Sequence, residues 1–187
     1  IGWTTLLLYL IFKKQKVLID RKSALKFLGN GILIALHWYC FFEAIVRSNV
    51  SIALVFLSTT ALFTSFVEPL ITKKKFNPKE LITSVLVVIG IIVIMNDLNF
   101  SENETYLSAI VFSLLAALLA ALFSVYNSVF VKEHHSGVIS LYELFGGFVF
   151  ISLLFLLSGD IVVSELHLTM EQFSWLFLLG TICTSFA

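Results

Sequence analysis

The stretch YLSAIVFSLLAALLAALFSVYNSVFV, residues 106–131, decides the fold class. It carries no charged side chain, and as a helix rising 1.5 Å per residue it reaches about 39 Å, longer than the roughly 30 Å hydrocarbon layer of a bilayer. A strand would cross the same layer in about 10 residues. A chain in lipid must also satisfy its own backbone N–H and C=O groups, so the run predicts a transmembrane helix. Small side chains recur along it: Ser113, Ala116, Ala117, Ala120, Ala121, Ser124 and Ser128 form a ladder at helical spacing. Such a ladder lets another helix backbone approach closely, and packing accounts for it without a ligand.

Six more apolar runs flank this one, at 1–12, 29–46, 51–72, 80–96, 137–157 and 172–187. Hydrophobic residues fill 59% of the chain and charged ones 13%. Soluble domains carry roughly 45–50% and about 25%, so hydrocarbon rather than water is the expected solvent. The expected architecture is an all-α integral membrane protein, a polytopic helical bundle with seven spans. The chain opens at Ile1 inside an apolar run and stops at Ala187 inside another, and it reads as a fragment. Cys40 and Cys183 fall in the runs with no metal-ligand spacing. They read as packing residues, and neither a metal nor a cofactor is expected.

Charge sorts the connecting segments. Lys13, Lys14, Lys16, Arg21, Lys22 and Lys26 follow the first run, Lys73, Lys74, Lys75 and Lys79 the third, and Lys132 the fifth. Eleven of the twelve basic residues thus share one side; the other holds Arg47 with Asp97, Glu102, Glu104, Asp160, Glu165 and Glu171. Short Lys- and Arg-rich loops stay cytoplasmic, which places 13–28, 73–79 and 132–136 in the cytoplasm of a bacterial-type inner membrane. The same placement argues against nucleic acid as a partner, because the lysines stand where topology wants them. Small-molecule solute and membrane lipid are the expected partners.

Polar groups inside the runs are the candidates for function, since ionisable side chains are costly in a membrane. In 51–72, Ser51, Ser58, Ala61, Ser65, Glu68 and Thr72 fall within an arc of about 100°, a small and polar face that must meet protein or water. Glu68 stands beside Pro69, which disturbs a helix and frees a carbonyl next to a cavity, but it also lies within reach of Lys73 to Lys75. Glu43 precedes Arg47 by four residues, the favourable order for an ion pair. Glu143 lies about 9 Å into its run, with Ser140 and Gly147 on its face and no basic residue in the run to neutralise it. A carboxylate placed there suits substrate contact or reversible protonation. His37, beside Trp38 and one turn from Phe41, is either a hydrogen-bonded structural histidine or a path residue. Asn127, next to Tyr126, is either a bundle hydrogen bond or a substrate contact. The path candidates are therefore His37, Trp38, Ser58, Ser65, Glu68, Tyr126, Asn127 and Glu143, with Glu143 as the proton-coupling candidate. No nucleophile motif, zinc-helix motif or phosphate-cradling loop occurs, so no catalytic residue is expected, and sparse buried polar groups suit binding and release better than bond breaking. Two other classes remain open: an intramembrane enzyme or lipid-modifying protein, and a non-transporting assembly partner.

Several short stretches resemble the EamA-type members of the drug/metabolite transporter superfamily. They are Ala35-Leu36-His37-Trp38 through Phe41-Phe42, Ser48-Asn49-Val50-Ser51-Ile52-Ala53-Leu54, Thr60-Ala61-Leu62-Phe63-Thr64 to Glu68-Pro69-Leu70, Phe123-Ser124-Val125-Tyr126-Asn127, and Tyr142-Glu143. The resemblance implies ten helices in two inverted five-helix repeats, both termini cytoplasmic, with a substrate cavity between the repeats. Residues 1–96 would then be the end of the first repeat, helices two to five, and 106–187 the start of the second, helices six to eight. It also implies a secondary transporter, an exporter working by alternating access. Many relatives carry proline where Ala61 stands and an acid where Lys74 stands.

Overall fold

The computed structural model describes the backbone of residues 1–97, 104–158 and 169–183. Glu102, Asp160 and Glu165, the Cys183 side chain and positions 184–187 lie outside what is described. The described elements are all helical: α1 (Gly2–Phe12), α2 (Arg21–Arg47), α3 (Val50–Leu57), α4 (Thr60–Thr72), α5 (Pro78–Asp97), α6 (Glu104–Phe130), α7 (Ser136–Ser158) and α8 (Met170–Leu178), which runs into a π-helical turn, Leu179–Cys183. Each of the seven apolar runs is helical over its described residues, one of them as the pair α3 and α4, and the last is described as far as residue 183. Among the described residues, four stretches are long and apolar enough to cross a membrane: 21–47, 50–72, 105–130 and 136–157.

Local chemistry sets the ends. Asn49 is extended and its side-chain oxygen accepts the Ile52 N–H at 2.9 Å, opening α3. Pro78 opens α5, where its missing N–H costs nothing, and Asn77 Oδ1 accepts the Lys79 N–H at 3.1 Å. Thr169 and Gln172 form a reciprocal capping box at the start of α8. The first half of α2 departs from expectation. Residues 21–28 are helix rather than loop, so the basic connection 13–28 shrinks to 13–20 and Arg21, Lys22 and Lys26 stand on helical turns. Asp20 is the cause: its Oδ2 accepts the Ser23 N–H at 2.9 Å, and that bond holds the Asp20 carboxyl below its ordinary value.

The break in the third span also departs from expectation. Helix α4 continues through Pro69 to Thr72, and the interruption lies at Ser58–Thr59 instead. Three successive hydroxyls donate to the carbonyl three residues back: Ser58 to Val55, Thr59 to Phe56 and Thr60 to Leu57. They compete with the backbone donors for those carbonyls and tighten the turn, so that Thr59 N–H bonds Phe56 O at 3.1 Å, the three-residue spacing of a 3₁₀ turn.

The chain forms two compact units, one of residues 1–32 with 133–187 and the other of 33–132, so the division falls inside α2. In the first, α1 packs on α7, and Leu6, Leu10, Val138 and Leu141 make a core bordered by Trp3, Leu7 and Tyr142. In the second, α6 is the centre and α3 and α4 lie on it. The small side chains Ala109, Ser113, Ala116, Ala117 and Ala121 are fully buried there, the packing role expected of the ladder. Cys40, Phe41, Ala44, Ala53 and Ala116 form one cluster, and Ile52, Phe56 and Ile91 another. Large apolar side chains stand outward on α5 and α7, among them Leu86, Ile92, Phe148, Phe155 and Leu157, as hydrocarbon contact requires.

Candidate functional site

Glu143 is the most enclosed acid among the described residues, 4% exposed in the first unit. Its Oε1 accepts a hydrogen bond of 2.7 Å from Nδ2 of Asn30, itself 3% exposed. The two helices meet here backbone to backbone. A Cβ added to Gly31 would overlap Glu143 O and stand 2.9 Å from Glu143 Cα; one added to Gly146 would overlap Leu28 O and stand 2.9 Å from Leu28 Cα. Each helix therefore offers a glycine to the other, and only glycine fits at either point. Gly146 is buried, while Gly147, four residues after Glu143, is half-buried. Phe27, one turn before Asn30, closes the crossing against the edges of Tyr142 and His134, with ring centroids at 6.4 Å and 5.1 Å.

His37 belongs to the second unit. Its Nδ1 lies 2.8 Å from Ala116 O. A carbonyl only accepts, so Nδ1 carries the proton, and a neutral ring then presents Nε2 as an acceptor. The ring is boxed by Trp38 and Phe123 edge-on, at 5.4 Å and 5.6 Å, and by Phe41 stacked at 6.4 Å. Trp38 itself is half exposed. Tyr126 stacks on Phe130 at 6.1 Å, further along α6, and Asn127 is half-buried beside it.

The polar face of 51–72 is mostly open. Ser65 is buried with its Oγ donating to Leu62 O, while Ser58 is exposed and Glu68 half-buried. Glu68 pairs with Lys74 at 2.7 Å, which raises the Lys74 ammonium above its ordinary 10.5 chiefly through that hydrogen bond. Glu43 pairs with Arg47 at 2.9 Å as its spacing predicts, and the Arg47 guanidinium also lies 4.6 Å over the Phe112 ring. The structure thus groups His37 with Trp38 in one aromatic box, Ser58, Ser65 and Glu68 along α3 and α4, and Glu143 with Asn30. The first unit holds two cavities. One of about 560 Å³ is lined by Lys16, Asp20, Glu133, His134 and His135 among others; one of about 240 Å³ is lined by Trp3, Leu7, Val17, Leu141, Tyr142 and Phe145.

Sequence reasoning missed Asn30, Gly31 and Gly146. The available signal was Gly29-Asn30-Gly31, a polar side chain flanked by the smallest residues inside an apolar run.

Long apolar helices around isolated buried polar groups define an all-α integral membrane protein. A model of the EamA-like transporter family matches residues 1–96, and the chain belongs to that family of membrane transporters. The matched stretch includes His37, Trp38, Ser58, Ser65 and Glu68, while Tyr126, Asn127 and Glu143 lie beyond it. No match to the chain was found among curated proteins or among solved structures.

Proposed function

We propose that this protein is a secondary transporter exporting a small polar or amphipathic metabolite or drug-like solute across the inner membrane by alternating access. Glu143 carries the reading: a carboxylate enclosed in a membrane-spanning helix is expensive to keep, and one held by a neutral amide suits coupling to a proton or contact with a solute. The full protein in this reading has ten helices in two inverted five-helix repeats, 1–96 from the first and 106–187 from the second. A site between repeats then opens alternately to either side. His37, Trp38, Ser58, Ser65, Glu68, Tyr126 and Asn127 are its path residues, and the segments 13–28, 73–79 and 132–136, which carry eleven of the twelve basic residues, face the cytoplasm. Its partners are solute and lipid, not nucleic acid.

The test is uptake and efflux by the full-length protein in proteoliposomes, over a panel of amino acids, sugar phosphates and cationic drugs at several pH values. At least one solute is expected to move chemically intact, with a pH dependence that Glu143→Gln abolishes. Transport by Glu143→Gln with unchanged rate and pH profile removes the proton role. Turnover of a solute to product replaces the transporter with an enzyme.

A further inference from the structure

We infer that Asn30 is the positioning residue of Glu143 and that Gly31 sets the distance at which it acts. Two consecutive residues of α2 address one residue of α7 from two directions: the Asn30 amide bonds the carboxylate at 2.7 Å, and Gly31 lies on the Glu143 backbone. Gly146, one turn after Glu143, returns the contact on Leu28, one turn before Gly31. The crossing is therefore fixed at two points on either side of the hydrogen bond, so neither partner can drift without separating the helices.

The choice of an amide matters. Nδ2–H donates to the carboxylate, while Oδ1, brought round by rotation of the amide, accepts from the O–H of the protonated acid. Asn30 serves both ionisation states, which a lysine, an arginine or a leucine would not. The chemical change is one proton gained or lost at the Glu143 carboxyl, and no other bond is made or broken. Within this unit, α1 offers Tyr9, exposed beneath the Lys13 ammonium at 5.8 Å, as its ionisable side chain. Helix α2 offers Arg21, Lys22 and Lys26, all exposed, with Lys26 one turn before Asn30. Helix α7 offers Tyr142, whose hydroxyl lies 3.4 Å from Val17 O, and the segment before it offers Glu133, His134 and His135. The Asn30 amide, which touches the carboxylate, is itself neutral.

The inference takes its functional weight from the proposed role of Glu143, but its test reads the carboxyl directly. Full-length protein labelled with [13C]glutamate and held in lipid nanodiscs is titrated by isotope-edited infrared spectroscopy, the Glu143 band being assigned by its loss in Glu143→Gln. Asn30→Leu is expected to move the Glu143 titration midpoint to higher pH by about one unit or more, because the carboxylate loses its donor. Gly31→Ala keeps both polar groups but forces them apart, and moves the midpoint in the same direction. Where Asn30→Leu does not fold, Asn30→Asp carries the test: two carboxyls sharing a proton hold it to higher pH by about one unit or more. An unchanged midpoint in the variant read, Leu or Asp, overturns the inference. A moved midpoint in a protein whose Glu143→Gln variant transports like wild type sustains the positioning role while removing the proton-coupling one.

Discussion

Replacing Gly146 by alanine tests the α2–α7 crossing most sharply. The added Cβ would overlap Leu28 O and lie 2.9 Å from Leu28 Cα and 3.0 Å from its carbonyl carbon. Carbon pairs are comfortable at about 3.5–4.0 Å, so the helices must part by roughly 0.5–1 Å. The obstacle is backbone, so no side-chain rotation relieves it. Overpacking typically costs about 1–3 kcal/mol, a rise of about 5- to 140-fold in the unfolding constant, and this site belongs at the upper end. Gly29 is the control: on the same helix two residues before Gly31, its added Cβ meets nothing within 4 Å. Gly29→Ala should be neutral or stabilising by up to about 1 kcal/mol through helix propensity alone. Reversible unfolding in mixed micelles, followed by tryptophan fluorescence, measures both. Equal stabilities for Gly146→Ala and Gly29→Ala would refute the close crossing.

Three more outcomes are expected. His37→Phe keeps the aromatic box but removes the side-chain donor to Ala116 O, which retains its helical partner, and should cost about 0.5–1.5 kcal/mol in the same unfolding assay. Replacing Ser58, Thr59 and Thr60 together by Ala, Val and Val removes the hydroxyls that compete for the Val55, Phe56 and Leu57 carbonyls; amide hydrogen exchange at 58–62 should slow as the two helices join. The pair between Lys74 and Glu68 should respond to alkali. Its lysine titrates above 10.5, so its contribution is fully present below that value and lost as the pH rises through the raised one. Lys74 is exposed, so the difference in Tm between wild type and Glu68→Gln should be small at neutral pH and disappear as the pH rises through the raised lysine value.

The spans were legible because a bilayer demands uninterrupted apolar length, and that demand writes itself into 29–46 or 106–131 without reference to any partner. The start of α2 was not, because the helix runs past the hydrocarbon edge into Arg21 and Lys22, where hydropathy carries no signal and only the cap at Asp20 marks the turn. Pro69, a residue that disturbs helices, lies inside α4 without ending it. Proline removes one donor, whereas three consecutive hydroxyls compete for three carbonyls, and the interruption falls at the hydroxyls. Glu143 stood out as a buried acid with no cation in its own run. Its partner did not, since the pairing of Asn30 with a residue so distant in sequence depends on where two helices cross, and glycines reveal a close approach without naming what approaches.

The order of the two units along the chain bears on biosynthesis. Residues 33–132 are contiguous, so that unit can assemble in the bilayer once α6 has left the ribosome. The other joins 1–32 to the segment after 132, and Asn30 cannot meet Glu143 until 113 further residues have been translated. At roughly 5–20 residues per second that interval lasts on the order of 6 to 23 s. Through it, α1 and the first turns of α2 must be sheltered by lipid, translocon or insertase, which makes the α2–α7 crossing a later event than the assembly of 33–132.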